Sequence, residues 1–134
     1  MAPASSAATA SRETADLTAS RAALGVQGED LVAGHLERQG FAIVGRNLRA
    51  GRYELDLLAV RDRLLVICEV RTRASRAQID PIESIDRKKR ERVRKAAAIW
   101  LPTSGYEEHE LRFDAASVVI NASEQTIAYY ADAF

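Results

Sequence analysis

Leu24, Leu31, Val32 and Leu36 recur at helical spacing, and Gly40 stands where a left-handed cap would end a helix before Phe41. This pattern predicts a first helix from about Arg21, its start loosened by Gly25 and Gly28. Residues 41–48 read as a strand and Arg49-Ala50-Gly51 as a turn. Two apolar runs follow, 52–60 and 64–73, separated by the polar break Arg61-Asp62-Arg63, and together they predict a β-hairpin. After a polar link over 72–79, Asp80-Pro81-Ile82-Glu83 combines an Asp cap, Pro at the first helical position and Glu three residues after the cap. A second helix should run from there to about Leu101, stopped by Pro102 and Gly105, with an apolar stripe of Ile82, Ile85, Val93, Ala96, Ala97 and Trp100. Residues 111–120 and 125–130 read as two further strands. The order helix, strand, hairpin, helix, strand, strand suggests a mixed sheet with helices packed on it, an α/β or α+β sandwich.

The hairpin carries charge where a strand is expected to be apolar. Side chains alternate along a strand, so Glu54 and Asp56 share one face, and Glu69 and Arg71 share one. Whether the two faces coincide depends on register. Pairing Val60 with Leu64 puts Asp56 and Glu69 on opposite sides of the sheet, whereas a slip of one residue or a bulge brings the acids together. Carboxylates brought together on a sheet, with a cation two residues after one of them, suit a hard divalent ion, which polarises a phosphodiester and supplies a hydroxide nucleophile. The same spacing also describes ordinary cross-strand salt bridges, and from spacing alone that reading is favoured. Lys89 falls inside the apolar stripe of the second helix, so its ammonium should snorkel to the rim of the sheet. Glu29 borders the buried stripe of the first helix, where the dipole of a nearby N-terminus is a sufficient reason for an acid.

Arg87, Lys88, Lys89, Arg90, Arg92, Arg94 and Lys95 place seven cations in nine residues, opposed only by Glu91 within that span. Such a surface is the footprint of phosphate-backbone contact, or else a solvated helical face with some intrahelical pairing. The formal net charge of the whole chain is zero, so any polyanion must be held by a local patch of this kind. With 134 residues and ordinary globular composition, one core is expected: a flexible Ala/Ser/Thr-rich tail over 1–20 and a single domain over 21–134. No apolar run approaches the length of a bilayer span and no signal segment opens the chain, which predicts a cytoplasmic protein without a membrane partner. The lone Cys68 reads as a packed core thiol. His35 and His109 are isolated, and there is no zinc-ligand cluster, phosphate loop or nucleophile elbow.

Several stretches together carry a family resemblance: Gly28-Glu29-Asp30, Arg46-Asn47-Leu48-Arg49, Tyr53-Glu54-Leu55-Asp56-Leu57-Leu58-Ala59, Cys68-Glu69-Val70-Arg71-Thr72-Arg73, Lys89, Trp100-Leu101, Arg112-Phe113-Asp114 and Ala133-Phe134. In this order and spacing, over about 26–134, the chain resembles the small bacterial YraN-type proteins, endonuclease-like relatives of Holliday-junction resolvases with a PD-(D/E)XK core. The resemblance implies an α/β, restriction-endonuclease-like core of mixed sheet flanked by helices, and Mg²⁺- or Mn²⁺-dependent hydrolysis of DNA phosphodiesters. Carried over by position, it implies Asp56 and Glu69 as the metal-binding pair, Glu29 as a helix-borne acid that also serves the metal, Arg71 as the basic position and Lys89 as a helix residue near the site. Arg87, Lys88, Arg92 and Lys95 are the expected nucleic-acid contacts.

The chain departs from the family pattern at three positions. Arg71 replaces the usual lysine, and a guanidinium stays charged where a lysine can manage a proton. Tyr53 replaces a glycine and adds an aromatic at the groove, and Leu55 stands where the motif has its proline. The leading expectation is therefore a metal-dependent nuclease acting on DNA, branched DNA included. The alternatives are a nucleic-acid-binding module of the same fold that lost its chemistry at Arg71, and a protein-interaction scaffold. Oligomeric state is left open, a homodimer included.

Overall fold

The computed structural model of the chain describes residues 6–75 and 87–134, with side chains from residue 22 onward. Its elements are α1 (Ser6–Arg38), β1 (Ala42–Ala50), β2 (Tyr53–Arg61), β3 (Leu64–Arg73), α2 (Arg87–Trp100), β4 (Glu110–Ile120) and β5 (Gln125–Tyr130), with a short 3₁₀ turn at Leu101–Thr103 after α2. The five strands form one sheet in the order β1-β2-β3-β4-β5. Pairing is antiparallel except between β3 and β4, which run parallel and are joined through α2. This is an α/β fold with a mixed sheet, consistent with a restriction-endonuclease-like core.

Each face of the sheet has its own core. On one, Val32, Ala33 and Leu36 of α1 meet Leu57, Ala59, Val66, Cys68, Ala116 and Val118. On the other, Val93, Ala96 and Ala97 of α2 meet Leu55, Leu58 and Ile67, with Trp100 and Phe113 packed alongside. Strand β3 is buried on both faces, as its unbroken apolar run Leu65-Val66-Ile67-Cys68 requires. Gly40, at φ +89, ends α1 as the pattern predicts: Phe41 N donates to Leu36 O at 3.1 Å and Gly40 N to Glu37 O at 3.0 Å, the paired bonds of a Schellman cap. Among the described residues no helix is long and apolar enough to cross a membrane.

Three expectations change. Helix α1 begins at Ser6, within the Ala/Ser/Thr-rich segment, because alanine is the strongest helix former even where no large apolar residue marks a face. Glu29 therefore lies roughly six turns from the N-terminus, too far for the helix dipole to explain it. Gly28 does not loosen a helix start either: it is buried, and a Cβ there would overlap Thr72 Oγ1 while lying 3.0 Å from Thr72 Cβ and 3.1 Å from Cγ2. Thr72 packs directly on the bare Cα face of this glycine, so Gly28 sets how closely α1 approaches β3. The cap at Asp80, Pro81 and Glu83 and the apolar positions Ile82 and Ile85 lie outside the described residues.

Candidate functional site

The register of the hairpin decides the site. Arg61 pairs with Leu64, leaving Asp62 and Arg63 as a two-residue turn, with Asp62 at φ 55. The pairing is thus slipped by one residue from Val60 opposite Leu64, and the ladder continues to Leu57 opposite Cys68. The next residues on the two strands are Asp56 and Glu69, so the acids stand level. At this point the ladder opens. Val70 N donates at 2.9 Å to Asp56 Oδ2, a side-chain carboxylate taking the place of a strand carbonyl. Strand alternation also breaks here, since Leu55 joins Leu58 on the α2 face while Leu57 packs on the α1 face. On the neighbouring strand Asn47, which would pair with Asp56, adopts φ 46 and is missing from the ladder. Asparagine tolerates that left-handed conformation better than most residues.

Asp56 and Glu69 line one cleft of about 310 Å³, together with Arg52, Tyr53, Glu54, Arg71, Lys89, Arg92 and Val93. Glu69 is only 1% exposed. Its Oε1 faces Lys89 Nζ at 3.0 Å and Arg71 Nη2 at 3.4 Å. Its Oε2 is buried and has no hydrogen-bond partner. Burial, then the Asp56 carboxylate, push the Glu69 carboxyl up to about 7 against the opposing pull of Lys89 and Arg71. Leaving such a group half-satisfied costs about 1–3 kcal/mol, more if charged, which makes Glu69 a candidate functional group. Lys89 reaches the cleft by the snorkelling its place in the α2 stripe predicts.

Glu29 is held apart from this pair. Its Oε2 accepts from Asn47 Nδ2 at 2.9 Å, and it lines an adjoining groove with Leu24, Gly25, Val70, Arg71 and Thr72. Burial raises its pKa, and the carboxylates of Asp56 and Glu54 add to the rise, while the Asn47 bond opposes it. Among the described residues no three His, Cys, Asp or Glu side chains converge into a metal-holding group. The structure brings Asp56, Glu69, Arg71 and Lys89 together and sets Glu29 beside them, with Arg71 lining both hollows.

Of the expected nucleic-acid contacts, Arg92 lines the cleft itself. Arg87, Lys88 and Lys95 are exposed on α2, and Arg87 makes a 3.4 Å contact with Glu91 one turn on. The cleft has four cations around three carboxylates, a local positive rim on a chain whose formal net charge is zero.

Sequence reasoning missed Asn47 and Arg46 as a clasp. Arg46 Nη1 meets Asp30 Oδ1 at 2.5 Å, next to the Asn47–Glu29 bond, so consecutive residues of β1 grip consecutive residues of α1. It also missed what Asp114 does. This carboxylate is fully buried, receives both Arg112 Nε and Nη2 at 2.9 Å, and accepts from Tyr129 OH at 2.5 Å and from Asp132 N at 2.9 Å. An asparagine within a strand pattern and an Arg-x-Asp pair were the available signals.

The profile of the uncharacterised protein family UPF0102 matches residues 28–118, more than half of the chain. The chain belongs to UPF0102, the YraN family. A UPF0102 protein of Sorangium cellulosum is 42% identical over 120 residues, covering 85% of this chain and 82% of the relative. Those of Rhodococcus jostii and Chlorobium phaeobacteroides are 39% and 34% identical, covering 84% and 83% of the chain and 96% and 92% of the relatives. Several stretches that carry the UPF0102 resemblance are now given physical work. Gly28 sets helix spacing, Glu29-Asp30 and Arg46-Asn47 form the clasp, and Arg112 and Asp114 build a closed polar knot. Phe134 packs on Phe113, with Ala133 N donating to Phe113 O at 2.8 Å.

Proposed function

We propose that this protein is a metal-dependent hydrolase of DNA phosphodiesters, with branched DNA among its substrates. The observation that carries the reading is the bare, buried Oε2 of Glu69, level with Asp56 in a cleft rimmed by cations. An all-oxygen donor pair with one oxygen unpartnered fits a hard divalent cation, Mg²⁺ or Mn²⁺, which takes one or two carboxylates and fills its shell with water and substrate phosphate. Asp56 and Glu69 would hold it. When bound, the ion polarises the phosphodiester and lowers the pKa of a water.

The chain's own residues do the rest. Val70 N–H fixes Asp56 before any ligand arrives. Lys89 and Arg71 hold Glu69 Oε1, favouring the ionised form that a cation needs. Arg71 cannot take up or release a proton at working pH, so its part is to position phosphate and offset the charge that gathers on it. Arg87, Lys88, Arg92 and Lys95 supply backbone contacts whose strength falls steeply with salt. Glu29 acts as the outer acid that keeps α1 seated against the opened ladder.

The test is cleavage of linear, single-stranded and four-way-junction DNA with and without Mn²⁺. Asp56→Ala should reduce metal-dependent cleavage by about 10²-fold or more with the fold retained; cleavage that survives the substitution counts against this site. Arg71 favours a second reading, a nucleic-acid-binding module that does not turn over. It predicts salt-sensitive DNA binding without cleavage under any divalent ion, and recovery of cleavage in Arg71→Lys.

A further inference from the structure

Tyr53 opens β2 directly after the Gly51-Arg52 turn and lines the same cleft as Asp56 and Glu69. Tyr53 packs against the buried cluster that includes Ala50, Leu55 and Val93 and stays partly open to solvent. The Arg52 guanidinium lies over the ring, 5.6 Å from its centroid. Arg92 and Lys95 project their charge onto the same phenol, and these cations, led by a bond from Arg52, lower its pKa. An aromatic held at its base, ringed by cations and set beside an acid pair is arranged unlike a core tyrosine.

We propose that Tyr53 is a stacking platform for an unpaired nucleobase, with Arg52, Arg92 and Lys95 taking the phosphates on either side of it. The inference rests on the nucleic-acid reading above and names its substrate class: a single strand, or a base turned out of a duplex. An exposed cation–π contact is weaker than the stacking of a base on an aromatic ring, so a base can displace Arg52 and release its guanidinium to a phosphate. Tyr53 and Asp56 are three steps apart along the strand, roughly 10 Å at most. A base on the ring and the phosphodiester at the acid pair then belong to adjoining nucleotides. The packing against the buried cluster matters as well, because a side chain already held in place loses little freedom on binding.

The experiment measures binding of the full chain, in EDTA and low salt, to three fluorescent DNAs: an oligothymidylate with one 2-aminopurine, a blunt duplex, and the same duplex with one mismatched pair. Tyr53→Leu should weaken single-strand binding by about 5- to 150-fold and abolish 2-aminopurine quenching, while blunt-duplex affinity stays within about 2-fold. Tyr53→Phe should keep both, and Arg92→Ala should weaken all three DNAs alike. Mismatch binding that also needs Tyr53 identifies an everted base as a ligand; a Tyr53 effect confined to the oligothymidylate identifies a continuous single strand. Equal losses on single strand and blunt duplex in Tyr53→Leu, or none, overturn the stacking role and leave the nucleic-acid reading standing. Failure of the unmodified chain to bind any of the three overturns both.

Discussion

Two buried acids stand on neighbouring parallel strands, Glu69 on β3 and Asp114 on β4, and they are treated in opposite ways. Asp114 receives four hydrogen bonds, two from Arg112, one from Tyr129 and one from the Asp132 backbone, and both of its oxygens are satisfied. Glu69 has cations on one oxygen and nothing on the other. Burial alone therefore says little about what an acid is for. An inward-turned knot in which both oxygens are bonded ties strands together, whereas an oxygen left bare at the wall of a cleft is free to meet a ligand, as the proposed function requires.

The sharpest way to break this comparison is to remove Asp114. Asp114→Ala strands the Arg112 guanidinium and the Tyr129 hydroxyl, and unfolding in urea should show a loss of about 3–5 kcal/mol. A loss under 1 kcal/mol would deny the knot its structural role. Next in size is Gly28→Ala, expected to cost about 1–3 kcal/mol as α1 is pushed off Thr72, with the urea midpoint again the readout.

The pH dependence of the metal-free protein sharpens the comparison from the other side. Burial and Asp56 raise the Glu69 carboxyl to about 7, above its unfolded value, so the folded state holds the proton more tightly. Between the unfolded pKa and about 7 the native state binds more protons, and this group's contribution must fall as pH rises through that window and level off above it. The melting temperature of the metal-free chain should follow, and the slope should flatten in Glu69→Gln or with saturating Mg²⁺. Glu69→Gln itself should shift stability by no more than about 1 kcal/mol, because it removes a buried charge while Lys89 and Arg71 retain access to water, yet it should abolish metal-dependent cleavage. Smallest of all, Arg46→Ala breaks a solvent-exposed pair and should cost about 0.2–1 kcal/mol.

Much of this architecture is legible in the sequence because its periods are clean. Gly40 ends α1, the apolar run from Leu64 to Cys68 reads as a strand of the hairpin, and Lys89 in the α2 stripe points to the rim of the sheet. Register was not legible. Arg61-Asp62-Arg63 looks like a three-residue break, and only coordinates show Arg61 joining the ladder and Asp62 adopting a left-handed turn conformation. The start of α1 was hidden for another reason: alanine drives helix formation without leaving an apolar stripe to read. Long-range polar ties, Glu29 to Asn47 and Asp114 to Tyr129, cross 18 and 15 residues and leave no local pattern at all.

The tight bend at Asp62 and Arg63 acts as the phase-setting gauge of the molecule. Six steps along each strand, roughly 20 Å, separate it from the acids it aligns. Lengthening that bend by a single amino acid would leave every cleft side chain chemically intact and turn one carboxylate away from the other, a silent-looking insertion that dismantles the centre by geometry alone.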